Sequence, residues 1–184
     1  TPNWSSRLSR AVDLKLLVDC SGSMAGNSIE QARQALSAIA AELGAGDRVS
    51  CSRFGSEVEH LIGGLHPATD EVLRARLSRA IRHLEADMGG TQMAEAIAQV
   101  VGLSQDRVES SPVDILLITD GSIWNVEGVI RTCLHSGHRV HAIGVSASPA
   151  ESLLQAICQG TGGHCEMVTP GEDLAPAVMR VFKR

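Results

Sequence analysis

The stretch Leu14-Lys15-Leu16-Leu17-Val18-Asp19-Cys20-Ser21-Gly22-Ser23-Met24 passes from an apolar run to a carboxylate and two hydroxyls. Leu and Val in succession read as a buried strand of a parallel sheet. The small polar residues after it mark a loop at the strand's carboxyl end, the edge where open α/β sheets place their ligands. Asp19, Ser21 and Ser23 occupy alternate positions, so a curling loop aims three oxygens at one centre. Carboxylate and hydroxyl oxygens are hard ligands, suited to Mg²⁺, Mn²⁺ or Ca²⁺ rather than to zinc. Three donors do not fill a six-coordinate shell, so more are expected from elsewhere in the chain.

Working outward, the opening strand is expected over 13–19, after a polar N-terminal extension, 1–12, in which Trp4 is a candidate anchor. Gly26 and Asn27 turn the chain, and Ser28 with Gln31 has capping-box spacing. Ile29, Ala32, Leu36, Ile39 and Leu43 then recur at helical steps. A second strand is expected over 48–54. Gly55-Ser56 turns it into a third, 57–62, which must pair antiparallel and so belongs at a sheet edge. Pro67 breaks the chain, and Thr69 or Asp70 caps a helix carrying Leu73, Leu77, Ile81 and Leu84. Gly89-Gly90-Thr91 is a second glycine-rich loop, with a helix through Ile97 and Val101 after it. The branched apolar run 113–119 is another buried strand, ending at Asp120-Gly121. Helix 126–135, strand 139–145, helix 150–158, strand 165–168 and a final helix with Leu174, Val178 and Phe182 complete the chain. Alternating strands and helices predict a doubly wound α/β domain over 13–184. Its central sheet is mostly parallel, with one antiparallel edge strand and helices on both faces.

Composition narrows the function. At 184 residues the chain makes one domain with a real core. Aromatics are only 2%, so Leu, Ile, Val and Ala must build that core. A net charge of −5 with scattered basic residues argues against a nucleic-acid partner. No apolar run approaches the ~20 residues of a membrane span. The first ten residues lack a signal peptide's apolar centre, and a chain opening on Thr1 reads as part of a longer polypeptide. Five cysteines without scaffold spacing predict free thiols and a reducing, cytoplasmic setting, although Cys158 and Cys165 are close enough in sequence to pair.

Asp19, Ser21, Ser23, Thr91 and Asp120 are thus five oxygen donors from three loops. Their pattern resembles the metal-ion-dependent adhesion site of von Willebrand factor A domains, and the resemblance covers roughly 13–182. It implies a Rossmann-like fold and a bound Mg²⁺, Mn²⁺ or Ca²⁺. By the same resemblance, both serines ligate directly, Thr91 and Asp120 directly or through water according to state, and Asp19 mostly through water. The last coordination position takes an Asp or Glu from a protein partner. The stretches 52–58, 67–69 and 84–91 look like the A domains that follow a VIT domain, as in inter-α-trypsin inhibitor heavy chains. Cys20 stands where many relatives carry Arg, and Ser122 where an acidic residue is common.

Each of these residues alone has an ordinary structural reading as a turn former or helix cap; their convergence favours the site. A strand-end Asp also suggests haloacid dehalogenase phosphotransferases, but those need a second carboxylate two residues on, where this chain has Ser21. His135, His138 and His141 are split by Gly137, and Cys158 with His164 and Cys165 lacks zinc-site spacing. The glycines at 22, 26 and 160–163 lack the Lys-Ser/Thr ending of a nucleotide loop. Arg74, Arg76, Arg79 and Arg82 read as a solvated helix face. The expectation is a metal-dependent protein-binding module without enzymatic activity, with Met24, Asn27, Gln92, Met93, Ile123 and Trp124 as its partner-binding rim. The alternatives are a scaffold domain whose ion only stiffens loops and, less favoured, a metal-assisted hydrolase or phosphotransferase.

Overall fold

A computed structural model describes residues 11–103, 113–145, 151–169 and 171–182. Among these residues six strands form one sheet: β1 (Asp13–Asp19), β2 (Arg48–Phe54), β3 (Val58–Pro67), β4 (Val113–Thr119), β5 (Arg139–Val145) and β6 (Cys165–Val168). Their order is β3-β2-β1-β4-β5-β6, with β2/β3 antiparallel and every other pair parallel. Among the described residues six α-helices cover it: α1 (Asn27–Glu42), α2 (Glu71–Arg82), α3 (Met93–Val101), α4 (Val126–His135), α5 (Glu151–Thr161) and α6 (Leu174–Phe182).

Alternate residues of a strand point to opposite faces, and β1 shows what that does here. Leu14, Leu16 and Val18 join Ile29, Leu36, Leu73 and Val178, from α1, α2 and α6, in one core. Leu17 joins Ile97, Val129 and Leu154, from α3, α4 and α5, in the other. All seven residues of β1 are buried, as a central strand covered on both faces requires. Among the described residues Phe54 is the aromatic side chain in the core; aliphatic side chains, cysteine and methionine supply nearly all the rest.

Several boundaries differ from the sequence reading. Gly22–Met24 is a turn of 3₁₀ helix rather than open loop. Helix α1 begins at Asn27 with Gly26 as its cap, so the Ser28–Gln31 capping box is not used. Asp70 does cap α2, accepting the Val72 and Leu73 N–H groups at 2.9 and 3.1 Å. Leu43 and Leu84 are buried but follow the last helical residues, so the helical spacing ran one and two residues past the helix ends. The edge strand β3 runs through Pro67, with register shifts between Val49, Cys51 and Ser52 of its neighbour. Pro is tolerated there because an edge strand has one unpaired side. Trp4 and the expected helix start at Ala150 lie outside the described residues.

Candidate metal centre

Chain order in the sheet reverses between β1 and β4, and a crevice opens outside the carboxyl ends of strands at such a point. Asp19 ends β1, and Thr119-Asp120 ends β4. Asp19 is fully buried. Its Oδ1 accepts the Ser21 N–H at 2.9 Å, and its Oδ2 accepts the Thr119 hydroxyl at 2.7 Å. Thr119 Oγ1 in turn accepts the Gly121 N–H at 3.0 Å, and Asp120 Oδ1 accepts that of Ser122 at 3.0 Å. Asp120 is thereby held by its own loop, and Asp19 both by its own loop and by the end of β4. The 3₁₀ turn brings the Ser21 and Ser23 hydroxyl oxygens to 3.1 Å from each other.

Thr91 is brought in by stitching between three loops. The Met88 N–H donates to the Cys20 carbonyl (3.0 Å) and the Gly22 N–H to the Gly89 carbonyl (2.8 Å). The β2–β3 turn joins from the other side: the Ser56 N–H donates to Met88 O, the Gly90 N–H to Ser56 Oγ, and the Gln92 N–H to Gly55 O. Gly55 is required for this approach, since a Cβ there would stand 2.4 Å from both Cβ and O of Met88. Helix α3 starts after Thr91, with Gln92 as cap and no side-chain capping bond. The Thr91 hydroxyl therefore does not serve as a cap, and it makes no hydrogen bond among the described residues.

The charges show what this crevice suits. Asp19 and Asp120 are 0% and 7% exposed, and neither pairs with a Lys, Arg or His among the described residues. Burial pushes the Asp19 carboxyl above its usual range; hydrogen bonds from Ser21 and Thr119 oppose this, and the neighbouring Asp120 charge adds to it. Two buried, mutually repelling carboxylates beside three hydroxyls have a shortage of positive charge. A hard divalent cation fits that donor set.

The family model for the von Willebrand factor type A domain matches residues 13–177. The chain belongs to that family. A von Willebrand factor A domain-containing protein of Dictyostelium discoideum is 27% identical over 168 residues, 90% of this chain but 18% of its own length. The chain spans about a fifth of the length of the curated relatives it matches. Among solved structures, the von Willebrand factor type A protein from Catenulispora acidiphila superposes with a TM-score of 0.77 at 22% identity, covering 92% of this chain and 41% of that one. The vWF domain of the type V pili tip protein Mfa5 from Porphyromonas gingivalis gives 0.70 at 14% identity, covering 93% of each. At these identities the two structures bear on the fold.

The rim of this A domain differs from the sequence expectation at two positions. Met24 and Met93 are 0% and 1% exposed, packed into the two cores, and no partner can touch them. The 3₁₀ turn and the first turn of α3 rotate both side chains inward. Asn27, Gln92 and Trp124 are exposed, and Ile123 is half-buried against the α3–α5 core. The histidines are engaged separately. His135 Nδ1 donates to the Arg131 carbonyl, His141 Nδ1 accepts the His164 N–H, and His138 faces Lys15. No group of three His, Cys, Asp or Glu among the described residues can hold a metal ion.

Sequence reasoning missed Thr119, Ser56 and Lys15. Thr119 reads as an ordinary strand end and Ser56 as an ordinary turn residue. Lys15 had a signal: it is the one charged residue inside the apolar run. Its side chain is completely buried, and it holds the last carbonyls of α3.

Proposed function

We propose that this A domain is a protein-interaction module that works through a divalent cation, Mg²⁺, Mn²⁺ or Ca²⁺. Asp19, Ser21, Ser23, Thr91 and Asp120 hold the ion, and the partner presents an Asp or Glu. The observation that carries this reading is the pair of buried carboxylates without a cationic partner among the described residues, set beside the Ser21, Ser23 and Thr91 hydroxyls at the sheet's switch point.

Family and fold support the general role: von Willebrand factor A domains serve as adhesion and protein-interaction modules, and a pili tip protein is among the fold relatives. When bound, the ion supplies positive charge and a coordination position for an incoming carboxylate. The chain's residues prepare that position. Where neutral hydroxyls bind the ion directly and the carboxylates act through water, as the family resemblance implies, the ion's inner shell keeps an affinity for an anionic partner group. The hydrogen bonds to Asp19 and Asp120 fix both carboxylates before binding. The stretches at 52–58, 67–69 and 84–91 support placing the domain with those that follow a VIT domain. We read the site as non-enzymatic. The loop's one thiol, Cys20, is buried with its pKa pushed up to about 12, and among the described residues no Lys or His bonds to Asp19 or Asp120 as a base or nucleophile would.

The test uses immobilised domain and lysate from its source. Wild type is expected to retain its partner in Mg²⁺ and release it in EDTA. Asp19→Ala and Asp120→Ala should retain at least tenfold less, with unchanged circular dichroism. Retention by wild type that ignores EDTA, while Asp19→Ala abolishes it, would show that the carboxylate only holds its loop. That outcome would favour the scaffold alternative.

A further inference from the structure

The amino end of β1 holds a device that no feature of the metal centre requires locally. Lys15 is 0% exposed in the central strand. It shares a face with Leu17 and Asp19, towards α3. Its Nζ donates to the carbonyls of Val100 (2.9 Å), Val101 (3.1 Å) and Leu103 (3.3 Å). These sit at the end of α3, where the helix dipole favours a cation; the Val100 carbonyl also accepts the Leu103 N–H at 3.2 Å. His138 completes the nest. Its Nδ1 donates to the Ser136 carbonyl at 2.9 Å, which leaves Nε2 as an acceptor 3.2 Å from Lys15 Nζ.

The other end of the same two elements is the metal centre. Strand β1 runs from Lys15 to Asp19 over ~13 Å at strand rise. Helix α3 runs antiparallel to it, from Gln92 to Val101, over ~14 Å at helix rise. Two rigid struts of nearly equal length are therefore joined at one end by Lys15 and carry Asp19 and Thr91 at the other. The loops around Thr91 locate it laterally, through the Gln92 N–H to Gly55 O bond. The ammonium sets how far α3 slides along β1.

We propose that Lys15 is a positioning residue for the metal centre: by clamping the end of α3 to β1 it sets the distance between Thr91 and Asp19. This rests on reading those two residues as metal ligands. The probe is Mn²⁺ alone, titrated into the folded domain. Lys15→Met keeps the side chain's length and apolar body but removes all three donors. Val100→Ala loosens the same helix end without touching the ammonium. Lys15→Met should weaken Mn²⁺ binding at least fivefold and Val100→Ala less than twofold. Amide exchange at Gln92 and Ala96 should quicken at least fivefold in Lys15→Met alone. Should Lys15→Met fail to fold, Lys15→Gln replaces it under the same criteria. Wild type that binds Mn²⁺ while Lys15→Met binds it equally, or while both variants lose affinity alike, would overturn the clamp and leave the metal reading standing. Wild type that binds no Mn²⁺ would overturn both.

Discussion

Lys15 makes a prediction of its own about pH. Burial lowers its pKa to about 8 from the ordinary 10.5, with the Asp13 charge opposing the shift. Between those values the unfolded chain holds a proton that the folded protein does not, so this group raises stability as pH climbs from about 8 to 10.5. The thiols of Cys20, Cys51 and Cys133, pushed up to about 12 by burial, act the other way once unfolded thiols ionise. The difference between wild type and Lys15→Met isolates the lysine: urea midpoints at pH 8 and pH 10 should show wild type gaining on the variant. A constant difference would mean that Lys15 keeps its proton throughout. Gly55 bears on the same site from another side. Gly55→Ala forces backbone apart at Met88, and a cost of about 1–3 kcal/mol is expected in a denaturant titration. The placing of Asp19, Ser21, Ser23, Thr91 and Asp120 in loops at the sheet's carboxyl edge was legible, because Asp19 and Asp120 follow apolar runs and glycines mark the loops that carry the others. Thr119 was not, because a Thr at a strand's end looks the same whether its hydroxyl faces water or a carboxylate.

At the level of elements, the apolar runs were decisive where burial is two-sided. Strands β1, β2, β4, β5 and β6 and helix α4 match the sequence reading residue for residue; of these β6, at the sheet's other edge, is only partly buried. Edges and caps were harder. Strand β3 extends past Ile62 because its pairing with β2 resumes, after register shifts, at His66 and Pro67. Which residue caps α1 depends on how the 3₁₀ turn delivers the chain, and no local spacing encodes that. The cap of α2 was legible to within two neighbours, Thr69 or Asp70, and the structure selects Asp70, whose side chain accepts from the first turn of its own helix. Asp70→Ala should therefore cost about 1 kcal/mol. A thermal midpoint unchanged in that variant would show that α2 is held by its packing on α1 and β3 alone.

For the molecule as a whole, ligand linkage gives the broadest check. A cation that binds only the folded state stabilises it by about 2.7 kcal/mol at a hundred times its Kd. Millimolar Mg²⁺ or Mn²⁺ is expected to raise the thermal midpoint of wild type, and Ser21→Ala with Ser23→Ala to abolish the rise. A midpoint indifferent to either ion would remove the metal reading. The thiols describe the molecule's redox character. Cys20, Cys51, Cys133 and Cys158 are buried, and Cys158 shares a hydrogen bond with the half-buried Cys165 that raises its own pKa and lowers that of its neighbour. Alkylation in denaturant without reductant should label all five, and a bridge between Cys158 and Cys165 would contradict this.

Trp124 gives the protein an optical property. The chain contains no tyrosine and two tryptophans, and Trp124 is 78% exposed on the loop that follows Asp120. With Trp4→Phe in the background, all near-ultraviolet emission comes from one indole beside the crevice. The core, built from aliphatic side chains and Phe54, contributes almost nothing to it. Fluorescence then follows events at the rim with little signal from global unfolding. An apolar partner surface settling over the loop should shift the emission to shorter wavelength, a readout that needs no label attached to either protein.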